Sequence, residues 1–179
     1  MREQGVRAAD PLILARTAWT TDELLDAIHA EKPQVSFDLV FLLAGVNDQY
    51  RSRPVRAFTN EFALLLRKAT TFARRRPSRV IAISIPDWGA TPFAEGRDRT
   101  LIAREVEAYN DGARELASAA GVRWVDITSV TRRMQHESRL VTSDGLHPSA
   151  DMYRIWAEKL LVVSKAALSR TPKRKGAAP

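Results

Sequence analysis

Asp144-Gly145-Leu146-His147-Pro148 places a carboxylate three residues before an imidazole, just ahead of an amphipathic C-terminal stretch. This spacing suits an Asp–His pair in which the imidazole takes a proton from a hydroxyl. An unperturbed histidine titrates near neutrality, so His147 can act as a base. Asp144 can accept the other ring N–H, fix the tautomer and stabilise the imidazolium. Upstream, Gly45-Val46-Asn47-Asp48 closes a buried apolar run with a polar turn. The Asn47 amide there can donate a hydrogen bond to a tetrahedral oxyanion. Each motif also has a plain structural use: Asp-x-x-His as a helix cap, and Gly-x-Asn-Asp as a turn that tolerates left-handed geometry. The other two histidines, His29 and His136, read as solvated. The three together have no metal-ligand spacing, so no metal is expected.

Four short apolar runs must position these residues: Pro11–Ala15, Asp38–Gly45, Val80–Pro86 and Arg123–Thr128. Continuous β-rich runs of this kind predict strands buried on both faces of a parallel sheet. Helical patterns separate them. Thr20-Thr21-Asp22-Glu23 is a capping-box start for a helix to about Ala30. Pro54 opens a helix to about Arg74, with Phe58, Phe62, Leu65, Ala69 and Phe72 on one face. A third helix spans Asp98 to Ala120, with Gly121 as its C-cap, and a fourth opens at Pro148 or Ser149. The alternation predicts an α/β layered fold. In open α/β sheets ligands bind at the carboxyl ends of the strands. Gly45, Asn47, Trp88 and the Asp144–His147 pair all follow such ends, as do Ala18 and Trp19 after Pro11–Ala15. A backbone N–H near Ala18 is a candidate second oxyanion donor. Gly45, Trp19 and Trp88 are candidate pocket-lining residues, the two tryptophans reading equally well as core aromatics.

The 179 residues, 45% of them hydrophobic, predict one domain over residues 1–169 and a disordered basic tail over residues 170–179. With no cysteine, disulfides and thiolate metal sites are excluded. No apolar run reaches the roughly 18 residues of a membrane span. The charged start Met1-Arg2-Glu3-Gln4-Gly5 lacks the apolar centre of a signal peptide, which predicts a cytoplasmic location. The net charge of +7 includes Arg170, Lys173, Arg174 and Lys175; setting those four aside leaves +3. Together with Arg74-Arg75-Arg76, these charges read as a solvated tail and a helix C-terminus, and no nucleic-acid partner is expected.

Taken in order, the motifs resemble those of the SGNH, or GDSL-type, serine ester hydrolases. Ala15-Arg16-Thr17-Ala18-Trp19-Thr20-Thr21 looks like the second block of that family, Gly45-Val46-Asn47-Asp48 like the third and Asp144-Gly145-Leu146-His147-Pro148 like the fifth. Ser84-Ile85-Pro86-Asp87-Trp88-Gly89 is similar to a bacterial branch. The resemblance covers about Val6 to Ala167. It implies a three-layer α/β/α, flavodoxin-like fold with a parallel sheet in the order 2-1-3-4-5. It also implies acyl-enzyme hydrolysis of a small-molecule ester without a cofactor. His147 and Asp144 would be catalytic, and Asn47 and Ala18 would form the oxyanion hole.

There are two departures. The second-block glycine falls at Ala18, and alanine disfavours positive φ. The first block, with its Gly-Asp-Ser nucleophile, has no counterpart: the chain opens with what reads as the back half of a helix, Arg2–Ala9. Ser36, Ser84, Ser143 and Ser149 do not sit on the required strand-to-helix turn. The expectation is therefore a sheet lacking its first strand, between Pro11–Ala15 and Asp38–Gly45, and a chain without its nucleophile. Unpaired buried backbone groups cost about 1–3 kcal/mol each, against a total stability of roughly 5–15 kcal/mol. Such a chain would be inactive and unstable alone, as a start codon placed too late would leave it. A non-catalytic binding module that keeps the pocket is the alternative.

Overall fold

A computed structural model describes residues 8–33 and 36–169. The tail over residues 170–179 and the helix expected over Arg2–Ala9, as far as residue 7, lie outside the described residues.

Three strands, β1 (Val40–Leu42), β2 (Val80–Ile83) and β3 (Arg123–Val125), form a parallel sheet in the order β1-β2-β3. Phe41 lies opposite Ile81, and Ala82 opposite Trp124. Every residue of β2 is buried, as a central strand covered on both faces requires. Its side chains alternate between two cores. Val80 and Ala82 join the cluster of Leu25, Phe58, Phe62, Leu65, Ile102, Val106 and Tyr109. Ile81 and Ile83 join Val125, Met152 and Trp156 on the other side. Helices α1 (Thr21–Glu31), α3 (Val55–Phe72) and α4 (Arg99–Ala119) thus cover one face of the sheet, and α6 (Ala150–Ser169) covers the other. Two short helices, α2 (Val46–Tyr50) and α5 (Thr128–Thr131), follow the ends of β1 and β3. This is the three-layer α/β arrangement that the strand–helix alternation predicts.

Local chemistry sets the helix ends. The Thr20 N–H donates to Glu23 Oε2 at 2.8 Å, completing the expected capping box of α1. Asp98 Oδ1 accepts the Leu101 N–H at 2.9 Å and starts α4. The C-cap of α4 is Ala120; Gly121, at φ +68°, stands one position beyond it, where a left-handed glycine belongs. Ser149 Oγ accepts the Met152 N–H at 3.4 Å at the start of α6. Both faces of Gly45 are constrained. Its φ is +119°, and a Cβ there would stand 2.5 Å from Phe58 Cε2, so only glycine lets β1 turn into α2 against α3.

Pro11–Ala15 is a correction. The segment forms no strand; Leu12 and Ile13 are 57% and 75% exposed. A strand exists only through a partner's backbone, and among the described residues no strand lies beyond β1 for this run to join. Phe41 and Leu43, near that outer edge, are likewise exposed.

Tyr109, buried in α4, donates its hydroxyl to the Arg53 carbonyl. Burial, reinforced by the charges of Asp48 and Glu105, pushes its phenol up to about 12. The folded value lies above the unfolded value of 10.0. Its contribution to stability is therefore complete below pH 10 and is lost as pH rises through about 12. One of the three tyrosines should deprotonate late in a phenolate absorbance titration, and unfolding free energy should fall across that window.

Candidate active site

The turn connecting Thr142 to Pro148 folds around the Asp144 carboxylate. Asp144 Oδ1 accepts the Thr142 hydroxyl at 2.6 Å, the Leu146 N–H at 2.9 Å and the His147 N–H at 3.0 Å. Asp144 Oδ2 and His147 Nδ1 are 2.5 Å apart. The Thr142 hydroxyl first, then the His147 and Leu146 N–H groups and the imidazole, hold the carboxyl well below the usual carboxylate range. Asp144 is thus ionised near neutral pH and can only accept, so Nδ1 carries the proton and Nε2 is the basic nitrogen. The Thr142 N–H donates to the His147 carbonyl at 2.9 Å, closing the loop. Both side chains are exposed.

The second half of the site is the turn before α1. Trp19 N–H reaches back to the Arg16 carbonyl at 3.3 Å, and Ala18 adopts φ +67°. The left-handed geometry at the second-block position is therefore present, carried by alanine. A residue with a Cβ costs roughly 1–2 kcal/mol there. Ala18→Gly is expected to raise the unfolding free energy measured in urea by about 0.5–1 kcal/mol, since glycine's extra unfolded-state freedom offsets part of the relief.

Two side chains of the α2 segment grip this turn. Asn47 Nδ2 donates to the Trp19 carbonyl at 2.8 Å, and Arg51 donates to the Ala18 carbonyl at 2.7 Å. An amide carries two N–H donors, so the bond to Trp19 orients Asn47 and leaves the second donor for a ligand. Beneath them lies a buried charge cluster that the sequence did not single out. Asp48 is fully buried; it accepts the Thr21 N–H at 3.0 Å, the Thr21 hydroxyl at 2.7 Å and the Arg53 guanidinium at 2.7 Å. Arg53 also pairs with Glu61 at 2.8 Å. The signal available was the pairing of Arg53 with Asp48 five residues earlier and Glu61 eight residues later, but charges on helices read first as solvated.

The structure therefore brings Ala18, Trp19 and Asn47 together, and separately Asp144 and His147. Aromatic packing bridges the two groups. Trp88 is buried, and its indole N–H donates to Gln49 Oε1 at 2.6 Å, in α2. Phe93 N–H donates to the Gly145 carbonyl at 2.9 Å, in the His147 loop. Gly45 is buried against Phe58, and Trp19 is half-buried. Ser84 lies at the end of β2, where its hydroxyl accepts the Ile127 N–H at 2.8 Å and contacts Asp126 at 3.2 Å. Ser149 Oγ donates to the Arg139 carbonyl at 2.7 Å, Ser36 Oγ accepts from Arg74 at 3.1 Å, and Ser143 is exposed beside Asp144. Among the described residues, no serine hydroxyl is bonded to the His147 ring.

Comparisons agree with this architecture. The lipase/acylhydrolase of Enterococcus faecalis superposes with a TM-score of 0.59 at 22% identity, over 88% of this chain and 75% of that one. A psychrotrophic esterase, EstA, of Pseudoalteromonas sp. gives 0.62 at 15%, over 86% and 75%. An acetyl xylan esterase of Geobacillus stearothermophilus gives 0.55 at 19%, over 86% and 72%. At these identities the likeness shows the fold. No curated protein matches the chain. The profile of the GDSL-like lipase/acylhydrolase family matches residues 2–155, most of the sequence, and the chain with its parallel α/β sheet belongs to that family of ester hydrolases.

Proposed function

We propose that His147 is the general base and Asp144 its orienting acid in hydrolysis of a small-molecule ester, with Asn47 and the Ala18 N–H receiving the oxyanion. The observation that carries the reading is the 2.5 Å contact between Asp144 Oδ2 and His147 Nδ1, on a carboxylate already fixed by three other donors. His147 Nε2 takes the proton of an attacking serine hydroxyl. The acyl carbonyl becomes a tetrahedral oxyanion, and the imidazolium returns its proton to the leaving alcohol. Water then repeats the cycle on the acyl-enzyme. No cofactor enters the reaction.

The positions of Ser36, Ser84 and Ser149, each engaged elsewhere, support a nucleophile other than these. Labelling the full-length protein with a fluorophosphonate, followed by peptide mapping, tests both parts. The expected result is one labelled serine, none of Ser36, Ser84, Ser143 or Ser149, and no labelling in His147→Ala. A label on one of those four would overturn the assignment of the nucleophile. Labelling undiminished by His147→Ala would overturn the role of the base.

A further inference from the structure

Tyr50, Trp88 and Phe93 form one aromatic cluster, with ring centroids 5.3 Å apart for Tyr50–Trp88, 6.2 Å for Tyr50–Phe93 and 6.1 Å for Trp88–Phe93. Trp88 is the buried floor, while Tyr50 and Phe93 are 45% and 37% exposed. The guanidinium carbon of Arg97 sits 5.0 Å from the Phe93 centroid, 5.3 Å from Trp88 and 5.7 Å from Tyr50. Arg51, Arg53, Arg132, Arg133 and Arg139 each have a carboxylate partner. Among the described residues, no carboxylate lies within ion-pair distance of Arg97, whose backbone N–H donates to the Ala94 carbonyl and whose guanidinium rests against the three rings.

The location matters as much as the chemistry. Tyr50 stands three residues after Asn47 in α2, and Phe93 is hydrogen-bonded to Gly145, two residues before His147. The cluster therefore joins the two groups of the proposed site. Cation–π attraction draws the guanidinium charge toward the ring faces. Arg97 is exposed and has no carboxylate on it among the described residues, so the N–H groups of its fork are available to a planar, two-oxygen anion. Aromatic faces also limit the loss of side-chain freedom when such a pair forms, because the guanidinium is already held.

We propose that Arg97 is a specificity residue that selects esters carrying a carboxylate. The fork would pair the carboxylate, and the exposed Tyr50 and Phe93 rings would carry the short apolar segment between it and the ester. The inference rests on the acyl-transfer reading of His147 and Asn47 for its place in catalysis, but the binding itself does not require turnover.

Succinamate and succinamide share a skeleton, resist hydrolysis and differ by one carboxylate. Calorimetric titration should show succinamate binding about tenfold or more tightly, the value of a charge-assisted hydrogen bond. Arg97→Gln should erase that preference, and Arg97→Lys, a point charge without the fork, should keep only part of it. Arg97 is exposed, so both variants should fold, and unfolding curves matching the parent would verify this. Equal binding of the two probes, or a preference that survives Arg97→Gln, would overturn the inference. Hydrolysis of monomethyl and dimethyl succinate by the full-length protein separates it from the underlying reading. A His147-dependent rate indifferent to Arg97→Gln would sink the specificity role alone. A rate indifferent to His147→Ala would sink the acyl-transfer reading, and the succinamate titration would still decide on Arg97 as a carboxylate site.

Discussion

Replacing His147 with alanine is expected to lower kcat of the full-length protein toward p-nitrophenyl acetate by about 10⁶, the scale seen when the base of a serine triad is removed. KM should change little, because an exposed imidazole contributes mainly to the transition state. Asp144→Asn should cost about 10⁴ in kcat, because an amide at this position favours the wrong tautomer. The structure makes the second variant informative. Asparagine keeps an oxygen that can accept the Leu146 and His147 N–H groups, so the loop survives while the charge is lost. Asp144→Ala removes both and should also loosen the Phe93–Gly145 contact that ties the loop to the aromatic cluster. The pH dependence follows from the depressed titration of Asp144. A carboxyl whose folded value lies below its unfolded value stabilises the fold above the unfolded value, and that stabilisation is lost as pH falls through the folded one. Asp144 stays ionised through the mildly acidic range, so its own protonation should add no step to the acid limb of kcat/KM there. An ionisation of Asp144 in that range would contradict the assignment.

What could be read in the sequence was what is local in the chain. Asp144 and His147 are three residues apart, and one turn suffices to bring them together. The capping box of α1, the Asp98 cap and the apolar face of α3 are local in the same sense. The parallel sheet was legible because β2 is apolar along its whole length, as burial on both faces demands. Pro11–Ala15 was misread because apolar composition suits a strand only when an edge is there to receive it. Trp88 read equally as core or pocket wall; it is buried and packs beneath the more exposed Tyr50 and Phe93 rings. The Tyr50–Phe93–Arg97 grouping was not legible. Its members lie on separate elements, and the fold alone brings them together; an arginine between two acidic neighbours, Glu95 and Asp98, reads as surface. The Ala18 turn was legible as a conditional: alanine would be strained if the turn needed positive φ, and it has φ +67°.

Arg53→Ala is expected to be the most destabilising of the substitutions considered, by about 3–5 kcal/mol, the loss typical of breaking a buried ion pair from one side. Arg53 touches Asp48 at 2.7 Å, Glu61 at 2.8 Å and Asp22 at 2.8 Å. Asp48 has no solvent contact, and Asp48 Oδ1 and Glu61 Oε2 stand 2.7 and 2.5 Å from the same Thr21 hydroxyl, whose one proton can serve only one of them. Without the guanidinium, two carboxylates face each other across one hydroxyl in a site that water does not reach freely. Removing Arg51, whose pairing with Glu23 at 3.3 Å is exposed, should cost little by comparison. The consequence for function comes through geometry. Thr21 opens α1 and Asp48 lies in α2, so the Asp48–Thr21 bonds pin the turn that presents the Ala18 N–H against the helix that presents Asn47. Disturbing the cluster should therefore lower kcat even at temperatures where Arg53→Ala remains folded, with the Asp144–His147 contact intact. Urea unfolding measures the first effect. Arg53→Lys, which keeps the cation without the fork, should recover part of the loss. A lysine variant as destabilised as Arg53→Ala would show that the cost lies in the packing of the guanidinium and not in its charge.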